Sequence, residues 1–326
     1  MDATTAEKEW LQRISGKNVK AEEKTAPTTG AGSVPRDQPT AKGRTGNGFA
    51  DVAGMDELKR FVIEGFVNVL NNKECAAAYG ITPPSMLFYG PTGCGKTFFA
   101  EKLAEEVGIN FIKVVPDDIA STLVHGTQEK IGELFRKAER KAPTLMFFDE
   151  FDAMVPRRTE IDNNCQNGEV NEFLCMLNNA TERGVYVLAA TNHPERIDKA
   201  VLRKGRIDEM VYVDMPDIAA RMSLFKLALS KLPADENIDY ERLAMLTAGY
   251  NCSDISYIVK TASRQMFNAS IKDRNSPYKK ITQELLEATI SQKSPSVSSR
   301  DLREYERIRN EFAPKEGGKS VSIGFR

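Results

Sequence analysis

The sequence has no long apolar run, few histidines, few cysteines and almost no net charge. None of its apolar runs reaches the roughly 18 residues that a membrane span requires, and the N-terminus MDATTAEKEW has no apolar signal segment. The five cysteines form no Cys-x-x-Cys pair and only two histidines are present, which argues against a disulfide framework or a zinc site. A formal net charge of -1 gives no general attraction to nucleic acid. These absences predict a cytoplasmic protein without a membrane span or a nucleic-acid partner.

The first 48 residues contain little that can build a core. From about Gly16 to Gly48 the chain is rich in Gly, Pro, Thr, Lys and Ala, a composition that predicts a disordered linker. Before this linker, Thr5 to Ile14 has the pattern of one short amphipathic helix that carries Trp10. This helix is either a docking peptide or a frayed terminus.

Apolar runs alternate with helical patterns between Phe49 and about Pro216, which predicts an α/β core with a parallel five-stranded sheet between helices. Farther along, four segments repeat apolar residues at helical spacing and predict a small all-helical lid. The predicted strands are Ser85 to Tyr89, Asn110 to Val115, Thr144 to Phe148, Val185 to Thr191 and Met210 to Val213. The predicted lid helices are Ile218 to Lys231, Tyr240 to Ala248, Ser253 to Ile271 and Thr282 to Gln292.

Four regions follow from these patterns. They are an N-terminal segment at 1–48, an α/β core at 49–216, a helical lid at 217–292, and a C-terminal helix and tail at 293–326. The last helix, Arg300 to Phe312, is expected to pack beside the nucleotide pocket or on an adjoining subunit.

The motif GPTGCGKT directly follows the first predicted strand and precedes a helix predicted from Phe98 to Val107. Its glycines let backbone N–H groups turn inward around a polyphosphate, Lys96 adds positive charge at the outer phosphates, and Thr97 offers a hydroxyl to Mg²⁺. The N-terminus of the helix adds a partial positive charge. The motif therefore predicts a phosphate-binding loop made of Gly90, Pro91, Thr92, Gly93, Cys94, Gly95, Lys96 and Thr97.

Polar residues follow two further strands. Asp149 and Glu150 end the run Leu145 to Phe148, at the edge where open α/β sheets bind ligands. We expect Asp149 to hold Mg²⁺ through water and Glu150 to deprotonate the attacking water. Asn192 ends another strand, and the sheet order can bring it between the other two strand ends to contact the γ-phosphate or the water. Alone, an Asn in this position is usually a turn former.

These motifs, in this order and spacing, resemble the AAA ATPases of the classical clade. The resemblance rests on the segment Phe49 to Met55, the phosphate loop, FFDEFDAMVPRR, LAATNHPERID and VLRKGRIDEMVYVDMPD, and it covers roughly Phe49 to Gln292. Cys94, the stretch PSVSSRDLREYERIRNEF and the closing Gly-Phe-Arg are similar to the second ATPase ring of valosin-containing-protein segregases. The resemblance implies a Mg²⁺-dependent enzyme that hydrolyses ATP to ADP and phosphate as a homohexamer.

The resemblance also assigns residues around the nucleotide. It implies that Arg203 and Arg206 are arginine fingers that reach the site of a neighbouring subunit. The implied adenine-facing segments are Asp51 to Ala53 and Gly249 to Asp254, with Asp51, Val52, Ala53, Tyr250 and Asp254 as the expected contacts. Phe98 is also expected to bind the nucleotide. The second of these segments departs from the family pattern Gly-Tyr-Ser-Gly-Ala-Asp, because Asn251 and Cys252 stand where Ser and Gly are usual.

Members of the family thread protein through a central pore with a loop that usually carries an aromatic residue. The matching stretch here has Leu123, Val124 and His125 and no aromatic side chain, so it is either a pore loop with a smaller contact area or an ordinary connecting loop. A second polar stretch, Arg157 to Gly168, is expected to be a loop that lines the pore or a solvated insertion.

The sequence therefore predicts a homohexameric ATPase that remodels, unfolds or disassembles protein substrates, directly or through an adaptor. Two alternatives remain open. One is a nucleotide-gated assembly switch that hydrolyses ATP slowly and threads nothing, which the missing pore aromatic favours. The other is a nucleic-acid-linked motor or loader, against which the near-neutral charge argues.

Overall fold

A computed structural model describes residues 46–120, 126–157, 164–272 and 278–312, together with the backbone but not the side chains of 164–167. Residues 1–45 of the N-terminal segment, the proposed pore-loop residues Leu123, Val124 and His125, and the tail beyond residue 312 lie outside the described residues.

A parallel five-stranded sheet forms the centre of the structure, and its strand order is β2-β3-β4-β1-β5. The predicted fold class is confirmed, and each strand end lies within one residue of its predicted place. The strands are β1 (Met86–Tyr89), β2 (Asn110–Val114), β3 (Thr144–Phe148), β4 (Val185–Thr191) and β5 (Glu209–Tyr212).

Helices cover both faces of the sheet. The first, α1, continues through a π-helical turn at Ile63–Val67 into α2. The helices of the core are α1 (Asp56–Val62), α2 (Asn68–Asn71), α3 (Lys73–Ala78), α4 (Lys96–Val107), α5 (Pro116–Ile119), α6 (Gly126–Arg140), α7 (Phe151–Met154) and α8 (Asn164–Leu177).

Alternate residues of the central strands point to opposite faces and divide the core into two apolar clusters. Phe88 and Phe147 join a cluster that contains Phe99 of α4, whereas their neighbours Leu87 and Phe148 join a cluster on the other face. Strands buried on both faces read as continuous apolar runs. This burial explains why the central strands were recognisable from the sequence.

The helical region has an apolar cluster of its own, built around Phe225, Leu243, Ile258 and Leu286. Asp217, Asp239 and Thr282 cap the helices that follow them with side-chain oxygens. The four helices are α9 (Ile218–Leu229), α10 (Tyr240–Leu246), α11 (Cys252–Lys272) and α12 (Gln283–Ser291). Among the described residues, no helix is long and apolar enough to cross a bilayer.

The last helix, α13 (Ser299–Phe312), returns to the sheet. Its buried Ile308 packs against Tyr89 and Tyr212, at the ends of β1 and β5. The guanidinium of Arg309 lies 5.1 Å from the centre of the Tyr212 ring, and the ring of Phe312 lies 6.0 Å from that of Tyr89. Because Tyr89 immediately precedes the phosphate loop, α13 supports the base of that loop.

The prediction of a loop from Arg157 to Gly168 was wrong in its second half, because α8 begins at Asn164. The polar composition concealed this turn of helix, whose apolar face begins only at Val170. A Cβ at Gly168 would lie 2.1 Å from Nε2 of Gln128 on α6, so a side chain at position 168 would displace the end of the Gln128 side chain.

Candidate nucleotide site

The polar residues predicted from three separate segments meet at one edge of the sheet. Because β4 lies between β1 and β3, Asn192 at the end of β4 separates the phosphate loop from the carboxylates that follow β3. Lys96 donates a hydrogen bond of 2.8 Å to Oδ1 of Asn192, which joins two of these strand ends directly. The sheet order therefore assembles the site that the sequence predicted.

The phosphate loop has a backbone that only glycine accommodates at its first position. Gly90 has a φ of +141°, and a Cβ there would lie 2.3 Å from the carbonyl oxygen of Val213. The loop ends at the first turn of α4, so the N-terminus of that helix faces the same space. Backbone geometry and helix dipole both favour an anion at this position.

Lys96 is almost fully buried, and its ammonium group is held by three acceptors. Besides Asn192, it donates to the carbonyl oxygens of Gly90 at 2.9 Å and Pro91 at 2.8 Å. Burial lowers the pKa of Lys96 to about 8. A buried cation with only neutral acceptors is well suited to an anionic ligand, which supplies the missing negative charge.

Thr97 and Asp149 lie in direct contact. The Thr97 hydroxyl donates to Oδ2 of Asp149 at 3.0 Å, and Nζ of Lys113 lies 3.0 Å from the same oxygen. A hydroxyl and a carboxylate side by side are the hard oxygen donors that Mg²⁺ prefers, and a protein usually supplies one or two of them. The two side chains therefore fit a magnesium ion that is shared with phosphate.

Glu150 adopts an unusual backbone conformation. Its φ is 52° and its side chain is exposed, beside a carboxylate that is partly buried. The N–H of Glu150 donates to Oδ1 of Asp149 at 3.2 Å. A left-handed conformation at a residue other than glycine costs on the order of 1–3 kcal/mol and occurs often at functional sites.

Hydrogen bonds hold the end of β4 in place. Thr191 donates to Oδ1 of Asp152 at 2.5 Å, and the N–H of His193 donates to the Thr191 hydroxyl at 2.8 Å. These bonds fix the turn that carries Asn192. The ring of His193 lies 3.3 Å from Glu195 instead of turning toward Lys96.

A cavity of about 520 Å³ lies beside the phosphate loop, between the segment that precedes α1 and the helices α9 and α11. Its size lies within the range of small-molecule sites. The predicted residues that line it are Asp51, Val52, Ala53, Gly93, Gly95 and Phe98. Sequence reasoning missed Leu224, Leu227, Ala228, Ser256, Tyr257 and Lys260. The spacing of apolar residues predicted the two helices that carry them, but it did not show which face of each helix lines the cavity.

Asp51 fastens its segment to α4. Nζ of Lys102 donates to Oδ2 of Asp51 at 3.1 Å, and this hydrogen bond lowers the pKa of the Asp51 carboxyl. The N–H of Phe49 donates to Oε2 of Glu106 at 2.9 Å. These bonds keep one wall of the cavity against the helix that follows the phosphate loop.

The structure does not bring Tyr250 and Asp254 to the cavity. Tyr250 is buried in the cluster of the helical region, and its hydroxyl donates to the carbonyl oxygen of Lys293. Asp254 is 2% exposed and accepts hydrogen bonds from Ser296 and Nζ of Lys293, the latter at 2.8 Å. Burial alone raises the pKa of Asp254, but these hydrogen bonds outweigh it and hold the pKa below its ordinary value. Both side chains stabilise the helical region from behind the cavity wall.

The remaining loop residues have different surroundings. Thr92 is exposed and Pro91 is buried. Cys94 is fully buried with Sγ 3.5 Å from Sδ of Met215, and burial raises the pKa of its thiol. Burial likewise raises the pKa of Cys252 to about 12. Neither thiol has the lowered pKa of a reactive cysteine.

Arg203 and Arg206 lie on the loop between β4 and β5. Arg206 is anchored by hydrogen bonds to Oδ1 of Asn178 at 3.3 Å and to the carbonyl oxygen of Ala200 at 2.8 Å. The side chain of Arg203 is exposed, and no described residue pairs with its guanidinium. Neither arginine lines the cavity of its own chain.

Residues 86–215 match the family described as "ATPase family associated with various cellular activities (AAA)". The chain is 34% identical over 275 residues to the cell division cycle protein 48 homolog of Archaeoglobus fulgidus, covering 81% of this chain and 38% of that protein. It is 37% identical over 217 residues to the ATPase family gene 2 protein of Saccharomyces cerevisiae, covering 66% of this chain and 28% of that protein.

A third relative is the human ATPase family gene 2 protein homolog A, which is 32% identical over 262 residues, covering 79% of this chain and 29% of that protein. The chain thus spans between 28% and 38% of the length of these curated relatives. The matched residues 86–215 contain the phosphate loop, both carboxylates that follow β3, and Asn192. The protein therefore carries an ATPase domain of the AAA family.

Proposed function

We propose that this chain works in a homohexameric ring that couples ATP hydrolysis to the remodelling or unfolding of protein substrates in the cytoplasm. The observation that carries the proposal is the meeting of Lys96, Asn192, the Thr97–Asp149 pair and Glu150 at one sheet edge, beside a cavity of nucleotide size. We assign the chemistry of ATP hydrolysis to these residues.

The phosphates of ATP bind in the loop from Gly90 to Thr97, and the adenosine part occupies the cavity between the core and the helical region. Phosphate oxygens replace some of the three neutral acceptors of Lys96, so its buried charge is compensated. Phe98 and Tyr257, exposed by 44% and 57%, provide aromatic surface in the cavity for the base. The proposed domains are an α/β core that ends near Pro216 and a lid that follows it.

In the hydrolysis step, the water oxygen attacks the γ-phosphorus while the bond to the oxygen of ADP breaks and Glu150 accepts the water proton. Asn192 orients the water or the γ-phosphate from the neighbouring strand. Thr97 and Asp149 would hold Mg²⁺, which would supply positive charge to neutralise the phosphates.

The two arginines are proposed to complete the site of a neighbouring subunit. The exposed guanidinium of Arg203 is available to a partner. The guanidinium of Arg206 already donates hydrogen bonds to Asn178 and Ala200 of its own chain and so holds the loop in place. A guanidinium stabilises the charge that develops on the transferred phosphoryl group, and such fingers raise the rate by roughly 10³- to 10⁵-fold. A single chain is therefore a slow enzyme.

The action on protein is proposed from the resemblance to the segregases and assigned to Leu123, Val124 and His125 as pore residues. An adaptor or the N-terminal segment recruits the substrate. Because this stretch has no aromatic residue, we keep a second candidate function, a nucleotide-gated assembly switch that moves no substrate.

The test measures ATPase activity with an unfolded protein, with single-stranded DNA and with neither. Stimulation by the unfolded protein alone supports remodelling. Stimulation by DNA alone supports a nucleic-acid motor and overturns the proposal. Slow turnover that neither polymer changes, with ATP-dependent assembly detected by light scattering, supports the switch.

A further inference from the structure

The N-terminal end of α11 is hydrogen-bonded to the phosphate loop. Nδ2 of Asn251 donates to the carbonyl oxygen of Thr92 at 3.0 Å, and the N–H of Ser253 donates to the carbonyl oxygen of Gly93 at 3.1 Å. Oγ of Ser253 lies 3.4 Å from the same Gly93 oxygen. Two consecutive carbonyl groups of the loop are thus held by the helical region.

The side-chain amide of Asn251 makes two hydrogen bonds, one through its oxygen and one through its nitrogen. Oδ1 accepts a hydrogen bond of 2.8 Å from the N–H of Asp254, three residues into the helix, which is the bond of a helix cap. Its amide nitrogen is then directed to Thr92. The residue is 1% exposed, so the loss of either bond leaves a buried polar group without a partner.

The contact is also sterically close. Gly93 has a φ of +73°, and a Cβ there would lie 2.5 Å from Nδ2 of Asn251. The amide of Asn251 therefore occupies the volume that a side chain at position 93 needs. A serine at position 251 can still cap α11, but its hydroxyl is too short to cap the helix and also reach Thr92.

These bonds orient the peptide groups of the loop. A trans peptide is planar with its N–H opposite its C=O. When Thr92 O and Gly93 O are held by α11, the N–H groups of Gly93 and Cys94 point away from α11. A phosphate loop functions by aiming N–H groups at its anion, so the helical region fixes the direction of two of them.

We propose that Asn251 is a positioning residue that couples the docking of the helical region to the phosphate-binding shape of the loop. The inference rests on the proposed function, because it requires the loop to bind the phosphates of ATP. Asn251 acts through Thr92 and Gly93 and need not touch the nucleotide. Undocking of α11 releases both peptides and weakens phosphate binding.

The experiment compares Asn251→Ser and Asn251→Asp with wild type. Both variants keep an oxygen that caps α11 and lose the amide donor. We expect the Kd for MgADP, measured by calorimetry, and the KM for ATP to rise by roughly 3- to 10-fold, the effect of one buried hydrogen bond. In Asn251→Ser, which adds no charge, we expect kcat to change by less than about twofold, since the hydrolysing groups are untouched.

The matched control is Thr282→Ala, which removes the cap of α12, far from the loop in sequence. It should lower the melting temperature and leave the Kd unchanged. Equal loss of affinity in Thr282→Ala, or unchanged affinity in Asn251→Ser, overturns the positioning role. Failure of the wild type to bind MgADP overturns the proposed function itself, and that measurement comes first.

Discussion

At the scale of single residues, the site depends on two neighbouring carboxylates with different surroundings. Asp149 is held by Thr97 and Lys113, whereas Glu150 is exposed and has a left-handed backbone. The first is restrained as a metal ligand requires, and the second is available to accept a proton. The sequence predicted different roles for the two carboxylates, and the structure shows that their surroundings differ.

The variant Glu150→Gln tests the base assignment. The amide has nearly the same shape but accepts no proton, so we expect kcat to fall by roughly 10²- to 10⁴-fold while the Kd for ATP stays within about twofold. Steady-state hydrolysis and calorimetry measure the two quantities. The exposed Glu133→Gln on α6 serves as the control. Near-normal turnover in Glu150→Gln refutes the assignment.

Asp254 should make stability depend on acidic pH. Its folded-state pKa lies below the ordinary value of 3.8, so its contribution is complete above about pH 4 and is lost as the pH falls through the folded pKa. Denaturant unfolding between pH 3 and 6 should show a smaller loss of unfolding free energy below pH 4 in Asp254→Asn than in wild type. Asp56→Asn, with a side chain 73% exposed, should behave as wild type. Parallel curves for wild type and Asp254→Asn contradict the prediction.

At the scale of helices and strands, the sequence predicted those features that depend on local residue patterns. Strands β1, β3 and β4 are continuous apolar runs, and Asp217, Asp239 and Thr282 mark helix starts. The contacts between the helical region and the phosphate loop were not predicted. Asn251 meets Thr92 across 159 positions, and nothing local indicates that Tyr250 turns inward while Ser253 turns toward the loop.

The packing of α13 offers a test at this scale. Ile308 is 4% exposed and lies against Tyr89 and Tyr212. Ile308→Ala therefore leaves a cavity and lowers the free energy that holds α13 on the sheet by about 2–5 kcal/mol. We expect faster hydrogen exchange along α13 and a lower melting temperature. The exposed Arg303→Ala on the same helix should change neither. An unchanged exchange rate in Ile308→Ala shows that the helix is held by other contacts.

At the scale of the whole molecule, the proposed function divides the work between chains. Lys96, Asn192 and both carboxylates meet within one chain, while Arg203 is exposed on the loop that precedes β5 and does not line that chain's cavity. This arrangement is consistent with a ring in which each nucleotide lies at a junction of two subunits. In such a ring the rate of hydrolysis would depend on association of the subunits.

Mixing experiments test that arrangement. Arg203→Ala should bind ATP normally and hydrolyse it roughly 10³-fold more slowly, because its neighbours receive no guanidinium. Adding Glu150→Gln subunits, which keep Arg203, should restore part of the activity when the mixture is assayed for ATP hydrolysis. Lys204→Ala, a neighbouring cation on the same loop, is the control. Absence of rescue at every mixing ratio contradicts a shared site.

The return of α13 to the sheet has a mechanical consequence. Phe312, the last described residue, touches Tyr89, one residue before the phosphate loop. A load applied to the end of α13 therefore strips a helix of 14 residues, and the tether lengthens by roughly 25–30 Å, the difference between the extended and the helical length of that segment. In an optical trap, detachment of α13 should precede rupture of the core. Bound nucleotide should raise the force at which α13 detaches, because α13 packs on the residue that precedes the phosphate loop.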